Sequence, residues 1–185
     1  RYEKLLLDKS SDICLVVGDV TSTMACSIVA KKLGIKVVHV EAGIRSFDLT
    51  MPEEINRMVT DSISDYFFTT SEHANENLKK AGIEDKRIFY VGNTMIDTLL
   101  KQMPNFIKPA VFDEQNLNPK DYFVLTLHRP ANVDESEKLK EFLNTIDSNV
   151  NGCPVLFPVH PRTAIILKDM GLEFNSILQI PPMSY

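Results

Sequence analysis

Charged side chains crowd one stretch of the chain, HVEAGIRSFDLTMPEEINR, from His39 to Arg57: Glu41, Arg45, Asp48, Glu53, Glu54 and Arg57. The stretch leaves an apolar run, Val37, Val38 and Val40, and enters a helix-like pattern. A bland loop needs only Gly, Asn or Ser to turn. Carboxylates and guanidinium groups just past a buried strand suit proton transfer beside an anionic ligand. Glu41 passes directly into Ala42 and Gly43, which permits a tight turn. A half-buried carboxylate there can serve as acid or base, although pairing of Glu41 with Arg45 as structural glue fits the spacing equally well. Glu53 and Arg57 stand four residues apart, a spacing that also describes an exposed helix pair worth a few tenths of a kcal/mol.

Other chemistry-bearing residues follow apolar runs in the same way. In VVGDVTST, Val16 to Thr23, a strand ends at Gly18 and Asp19, and small hydroxyl residues open a helix. Free N–H groups at a helix N-terminus can hold an anion or stabilise Asp19; alternatively Asp19 or Thr21 caps the helix. The glycine and lysine pattern of a P-loop is absent. In TLHRPANVD, His128 and Arg129 follow a strand-like run. Histidine suits proton transfer or a phosphate contact, and arginine binds phosphate in bidentate fashion. FPVHPR repeats the design with His160 and Arg162. Two His/Arg pairs at adjacent strand ends would form a diphosphate cradle. His73, on a polar helix face, reads as surface.

The elements that must position these groups alternate. Continuous apolar runs predict buried strands at 13–17 and 36–40, and further strands at 66–69, 88–91, 122–127, 155–159 and 177–180. Helical periods lie between them. One carries Met24, Ala25, Ile28, Val29 and Leu33, closed by Gly34; the next starts at Pro52, with a core stripe of Ile55, Met58, Val59 and Ile63. Ser71 caps a helix that Gly82 stops, and Asp134 with Glu137 forms a capping-box-like start before Leu139, Phe142, Leu143 and Ile146. This rhythm predicts an α/β fold of Rossmann-like parallel sheets with helices on both faces. Ligands of such sheets bind at the carboxyl ends of strands, where Asp19, Glu41, His128 and His160 fall. Met103 to Lys120 has no period and several prolines. It divides the chain into 1–103, a linker at 104–120, and 121–185.

The totals exclude some classes. The net charge is −5 with mixed signs, against the basic face that a sequence-independent nucleic-acid binder needs. No apolar run approaches the roughly 18 residues of a membrane span, and no signal-peptide pattern appears. Cys14, Cys26 and Cys153 have the spacing of neither a zinc site nor a disulfide framework.

VVGDVTST, HVEAGIRS, MPEEINR, VGNTMIDTLL, TLHRPANVD and FPVHPR, in this order, resemble the non-hydrolysing UDP-N-acetylglucosamine 2-epimerases across essentially the whole chain. The resemblance implies a cytoplasmic, usually dimeric enzyme of glycosyltransferase-B type. Such an enzyme interconverts UDP-GlcNAc and UDP-ManNAc by eliminating UDP and adding it back, without a metal or nicotinamide cofactor. It also implies that Asp19, Glu41 and Glu53 are the catalytic carboxylates and His128 the essential histidine. Arg129 and His160 would lie near the nucleotide or a neighbouring allosteric UDP-GlcNAc site, with Arg162 of the second His/Arg pair as a further nucleotide-binding candidate, and Arg45 and Arg57 would orient the carboxylates. Two departures stand out. Family members are much longer, so the chain is expected to be a central piece: most of the N-terminal domain without its first strands, and the beginning of the nucleotide-binding domain. Ala131 stands where many members carry Glu, which leaves open another UDP-2-acetamido sugar as substrate. A non-catalytic nucleotide-sugar-binding fragment is the further alternative.

Overall fold

The computed structural model describes residues 1–127 and 130–183. The chain divides into two compact units, Arg1–Lys101 and Gln102–Tyr185.

The first unit holds a parallel sheet in the order β1-β2-β3-β4, with strands Ile13–Val17, Lys36–Val40, Tyr66–Thr69 and Ile88–Tyr90. Helices α1 (Tyr2–Asp8), α2 (Thr21–Lys32), α3 (Pro52–Ile63) and α4 (Glu72–Lys80) alternate with the strands, and α5 (Thr94–Gln102) follows β4. β1 and β2 run in register from Ile13 opposite Lys36 to Val17 opposite Val40. They therefore end level, and Gly18 follows β1 at the height where Glu41 follows β2. One apolar cluster gathers Leu6, Cys14, Val16, Ala30 and Val37; another gathers Ala42, Phe67 and Leu78. Ser71 caps α4 by accepting the Ala74 N–H at 3.2 Å.

Three apolar expectations fail in this unit. The run Ile13–Val17 is buried on one face only: Cys14 and Val16 face the core while Ile13, Leu15 and Val17 are exposed. Among the described residues β1 is at the edge of the sheet, paired with β2. On α2 the buried residues are Thr23, Ser27 and Ala30, not the apolar stripe. The Thr23 hydroxyl donates to the Val17 carbonyl at 2.8 Å, and that of Ser27 to the Thr23 carbonyl at 2.8 Å, so small polar residues are buried with their hydrogen bonds made. On α3 the inversion is larger. Glu54, Asn56, Arg57, Thr60 and Asp61 are buried, while Ile55 and Met58 are exposed.

The second unit holds β5 (Phe123–Val124), β6 (Val155–Pro158) and β7 (Ile177–Ile180), parallel and in that order. Its helices are α6 (Val111–Glu114), α7 (Pro130–Val133), α8 (Ser136–Asn149) and α9 (Pro161–Met170). Leu139, Leu143, Val155, Phe157, Leu167 and Ile177 form its core. β5 is much shorter than the expected 122–127, and α6 occupies part of the segment expected to lack structure. α8 starts after Glu135 without a side-chain cap. Asp134 does not close a capping box, because its carboxylate is held by Arg162 at 3.0 Å. Phe142 is exposed, unlike its stripe partners. Among the described residues, no helix is long and apolar enough to cross a membrane.

Candidate active site

The candidate carboxylates of the first unit are set by two turns and one helix. The Gly18 N–H donates to the Val40 carbonyl at 3.0 Å, and the N–H groups of Glu41 and Ala42 both donate to the Phe68 carbonyl, at 2.9 and 3.1 Å. These bonds bend the chain sharply at Glu41, whose φ is +73°. A non-glycine residue in this left-handed region is uncommon, and such outliers cluster at functional sites. Gly18 is also left-handed, at φ +69°, and a β-carbon there would sit 3.5 Å from Glu41 Oε2. The Glu41 carboxylate thus lies over the turn that leads into Asp19. It is half-buried, and among the described residues it makes no ion pair.

The buried polar face of α3 ties these turns together. Glu54 is 1% exposed. Its Oε2 accepts the Ser46 N–H at 3.0 Å and its Oε1 the Phe47 N–H at 3.1 Å. Burial pushes the Glu54 carboxyl up, but those two N–H groups, the Ser46 hydroxyl and the Arg57 charge outweigh it and hold it below the ordinary glutamate value. Arg57 Nε lies 3.2 Å from Glu54 Oε2 without the alignment of a hydrogen bond, and Arg57 Nη1 is 3.4 Å from Asp19 Oδ2. Asn56 Nδ2 donates to the Asp19 carbonyl at 2.8 Å. One helix turn further, Asp61 meets His39 Nδ1 at 2.6 Å, the Gly43 N–H at 3.1 Å and Arg45 Nη1 at 2.7 Å. His39 Nε2 faces the Gly18 carbonyl at 2.9 Å.

This arrangement sorts the expected site residues. Asp19 is half-buried and does not cap α2, whose N-cap is Val20 with no side-chain bond; its partner is Arg57. Arg45 pairs with Asp61, so the Glu41–Arg45 glue is not formed. Glu53 is exposed on the first turn of α3, while Arg57 turns inward to Glu54 and Asp19 instead of forming a surface pair with Glu53. In the second unit His160 caps α9, its Nδ1 accepting the Arg162 N–H at 3.3 Å. The Arg162 guanidinium is exposed and engaged by Asp134. His128 and Arg129 lie outside the described residues. His73 is exposed beside Glu76. Sequence reasoning passed over His39, Glu54, Asn56 and Asp61. A histidine inside the run Val-Val-His-Val was the available signal, because a buried imidazole needs partners.

The family model for UDP-N-acetylglucosamine 2-epimerase matches residues 1–185. The chain belongs to that family. It is 43% identical over 183 residues to the UDP-N-acetylglucosamine 2-epimerase of Methanocaldococcus jannaschii, covering 93% of this chain and 48% of that protein. It is 37% identical over 189 residues to the UDP-2,3-diacetamido-2,3-dideoxy-D-glucuronate 2-epimerase of Pseudomonas aeruginosa, covering 100% of this chain and 52% of that one. Among solved structures, the M. jannaschii UDP-GlcNAc 2-epimerase in complex with UDP-GlcNAc and UDP matches with a TM-score of 0.81 and 42% identity, over 99% of this chain and 53% of that one. The chain spans about half the length of the curated relatives it matches. The α/β fold with parallel sheets is the one expected, and these 2-epimerase structures share it.

Proposed function

We propose that the protein reversibly epimerises UDP-GlcNAc and UDP-ManNAc at C2, and that this chain carries the carboxylate half of its active site. The observation that carries the reading is Glu41: a half-buried carboxylate on a left-handed residue, without an ion-pair partner among the described residues, over the turn that presents Asp19. Such a group is free to exchange a proton and is held by backbone bonds rather than by its own side chain. The C2 hydrogen of the sugar has no adjacent carbonyl to acidify it, so its removal must accompany loss of UDP from C1. Breaking the C1–O bond and the C2–H bond leaves a glycal and free UDP. Reprotonation at C2 on the other face and return of UDP to C1 complete the epimer. Asp19, Glu41 and Glu53 serve as the acid and base groups on this reading, with Arg57 holding Asp19. His128 and Arg129, with His160 and Arg162, attend the diphosphate or a regulatory UDP-GlcNAc.

The reading extends to a cytoplasmic homodimer, and to residues 1–103 and 121–185 as portions of two Rossmann-like domains in a glycosyltransferase-B arrangement. No metal or redox cofactor enters the scheme. A second reading, epimerisation of a different UDP-2-acetamido sugar, is favoured by the 37% identity to the P. aeruginosa protein and by Ala131. The test is proton NMR of UDP-GlcNAc in D₂O with the protein as its gene encodes it. Deuterium at C2 together with UDP-ManNAc is expected. Exchange only with a diacetamido uronate substrate would favour the second reading, and no exchange with either would overturn both.

A further inference from the structure

His39 and Asp61 take no part in that scheme, yet both are buried, His39 completely. Their hydrogen count is informative. The Gly18 carbonyl, 2.9 Å from Nε2, can only accept, so Nε2 carries a hydrogen. At Nδ1 the partner is an Asp61 carboxylate oxygen at 2.6 Å, and a hydrogen must lie between them. The other Asp61 oxygen takes the Gly43 N–H and the Arg45 guanidinium. A protonated Asp61 would weaken its hold on those donors, whereas a carboxylate serves all three. The imidazole therefore donates at both nitrogens, and one negative charge is shared between the ring and Arg45.

The bonds reach the elements that carry the candidate carboxylates. Gly18 immediately precedes Asp19, Gly43 follows Glu41 by two residues, and Asp61 stands on the helix whose first turn carries Glu53. Asn56 and Arg57 tie Asp19 itself to α3, and the His39–Asp61 link adds the tie that holds the Gly18 carbonyl against β2 and α3, so severing it would loosen the placement of Asp19 relative to Glu41. We propose that His39 and Asp61 form a buried imidazolium–carboxylate pair that positions Asp19 and Glu41 for the proton transfers at C2. They are positioning residues that do not touch the substrate, and the proposal rests on the epimerase reading above.

Two readouts test it in the protein as its gene encodes it. In Asp61→Asn and His39→Gln, kcat should fall by about tenfold to a hundredfold, because displacements within the site of an ångström or less are costly to reaction. The KM for the UDP-sugar and the affinity for UDP should stay within about twofold, the pattern of an interaction needed only in the transition state. An unchanged kcat per folded molecule, with only the folded fraction reduced, would show a merely structural role and overturn the proposal. The second readout needs no variant to be active. Nitrogen-15 NMR of histidine-labelled protein should show hydrogens on both ring nitrogens of His39 at neutral pH, assigned by their loss in His39→Gln. If that variant does not fold, the signal is assigned instead by through-bond correlation of the ring nitrogens to the His39 backbone amide. A bare Nδ1 in an active enzyme overturns the ion pair and leaves the epimerase reading intact. Two ring hydrogens in a protein that turns over no UDP-sugar would keep the pair and remove the reaction it is proposed to serve.

Discussion

Glu53 and Glu54 are adjacent in sequence and opposite in consequence, and replacing each by glutamine should separate stability from activity. Glu54 receives two backbone N–H groups, one at each carboxylate oxygen. Glutamine offers one oxygen and one NH₂, so in either orientation one N–H faces another donor. Leaving a buried donor unsatisfied costs about 1–3 kcal/mol, and turning the remaining bond from charge-assisted to neutral costs about 1 more. Phe47 is 76% exposed, so water reaches part of this loop and the lower end applies, about 2 kcal/mol. In a unit of this size that lowers Tm by roughly 8–16 °C. Glu53 is exposed and makes no ion pair among the described residues, so Glu53→Gln should change stability by no more than about 0.5 kcal/mol. Its turnover should nevertheless fall by about a hundredfold or more, the usual worth of a positioned acid or base. Urea unfolding followed by far-UV circular dichroism gives the first quantity, and deuterium entry at the sugar C2 gives the second. The reasoning is refuted if Glu54→Gln unfolds at the unaltered midpoint, or if Glu53→Gln is destabilised as much as Glu54→Gln.

Further outcomes follow from other parts of the site. Glu41→Gln should abolish turnover and leave UDP binding, measured by calorimetry, within about twofold; an unaltered rate would remove Glu41 from the chemistry. Gly43→Ala should cost more than Gly82→Ala by about 1–3 kcal/mol of overpacking. Both residues are left-handed, but only at Gly43 would a β-carbon meet the Ala74 carbonyl and the Leu78 side chain; equal urea midpoints would contradict the packing of this turn on α4. The carboxyls of Glu54 and Asp65 both lie below their ordinary values. For Asp65, burial raises it, but the Lys31 ammonium, the Val37 N–H and the Arg87 charge outweigh that. Depressed carboxyls contribute stability that is full above the ordinary pKa of about 4 and is lost as pH falls through the lowered values. Melting temperature should therefore drop as pH falls below about 4. Asp65→Asn should flatten that drop, and a slope unchanged by this variant would exclude Asp65 as a contributor.

Apolar runs and glycine stops were enough to place the strands and the order of the elements, because parallel strands covered by helices declare themselves as continuous hydrophobic segments. The faces of α2 and α3 were not legible, for one shared reason. Periodicity counts apolar residues, and it treats Thr23, Ser27, Glu54, Asn56, Arg57 and Asp61 as solvent-facing. Each of these is buried because a partner is waiting: the Val17 carbonyl, the Ser46 and Phe47 amides, the Asp19 backbone and carboxylate, the His39 ring. Ser27 bonds to the Thr23 carbonyl one turn back on its own helix; the other partners lie outside the helix that carries the residue, so its periodicity does not reveal them. The boundary of β5 and the cap of α8 were missed on a smaller scale, the latter because Asp134 is drawn to Arg162.

The same partner census answers why so many charges follow β2. They form two populations. Arg45, Glu54 and Arg57, with His39 and Asp61, are each engaged by defined groups at 3.4 Å or less, Arg57 through ion pairs alone; a buried charge that is paired and hydrogen-bonded, as Glu54 and Asp61 are, is fixed, and fixing it fixes the backbone to which it is bound. Among the described residues the carboxyl groups of Glu41 and Glu53 make no ion pair, and Asp19 pairs through one oxygen with Arg57. A carboxylate already satisfied by several donors is a poor proton acceptor, while one left open beside a rigid turn can exchange a proton with a ligand. The engaged set therefore gives the open set its geometry. That division makes Glu41, and not the better-bonded Glu54, the first residue to replace.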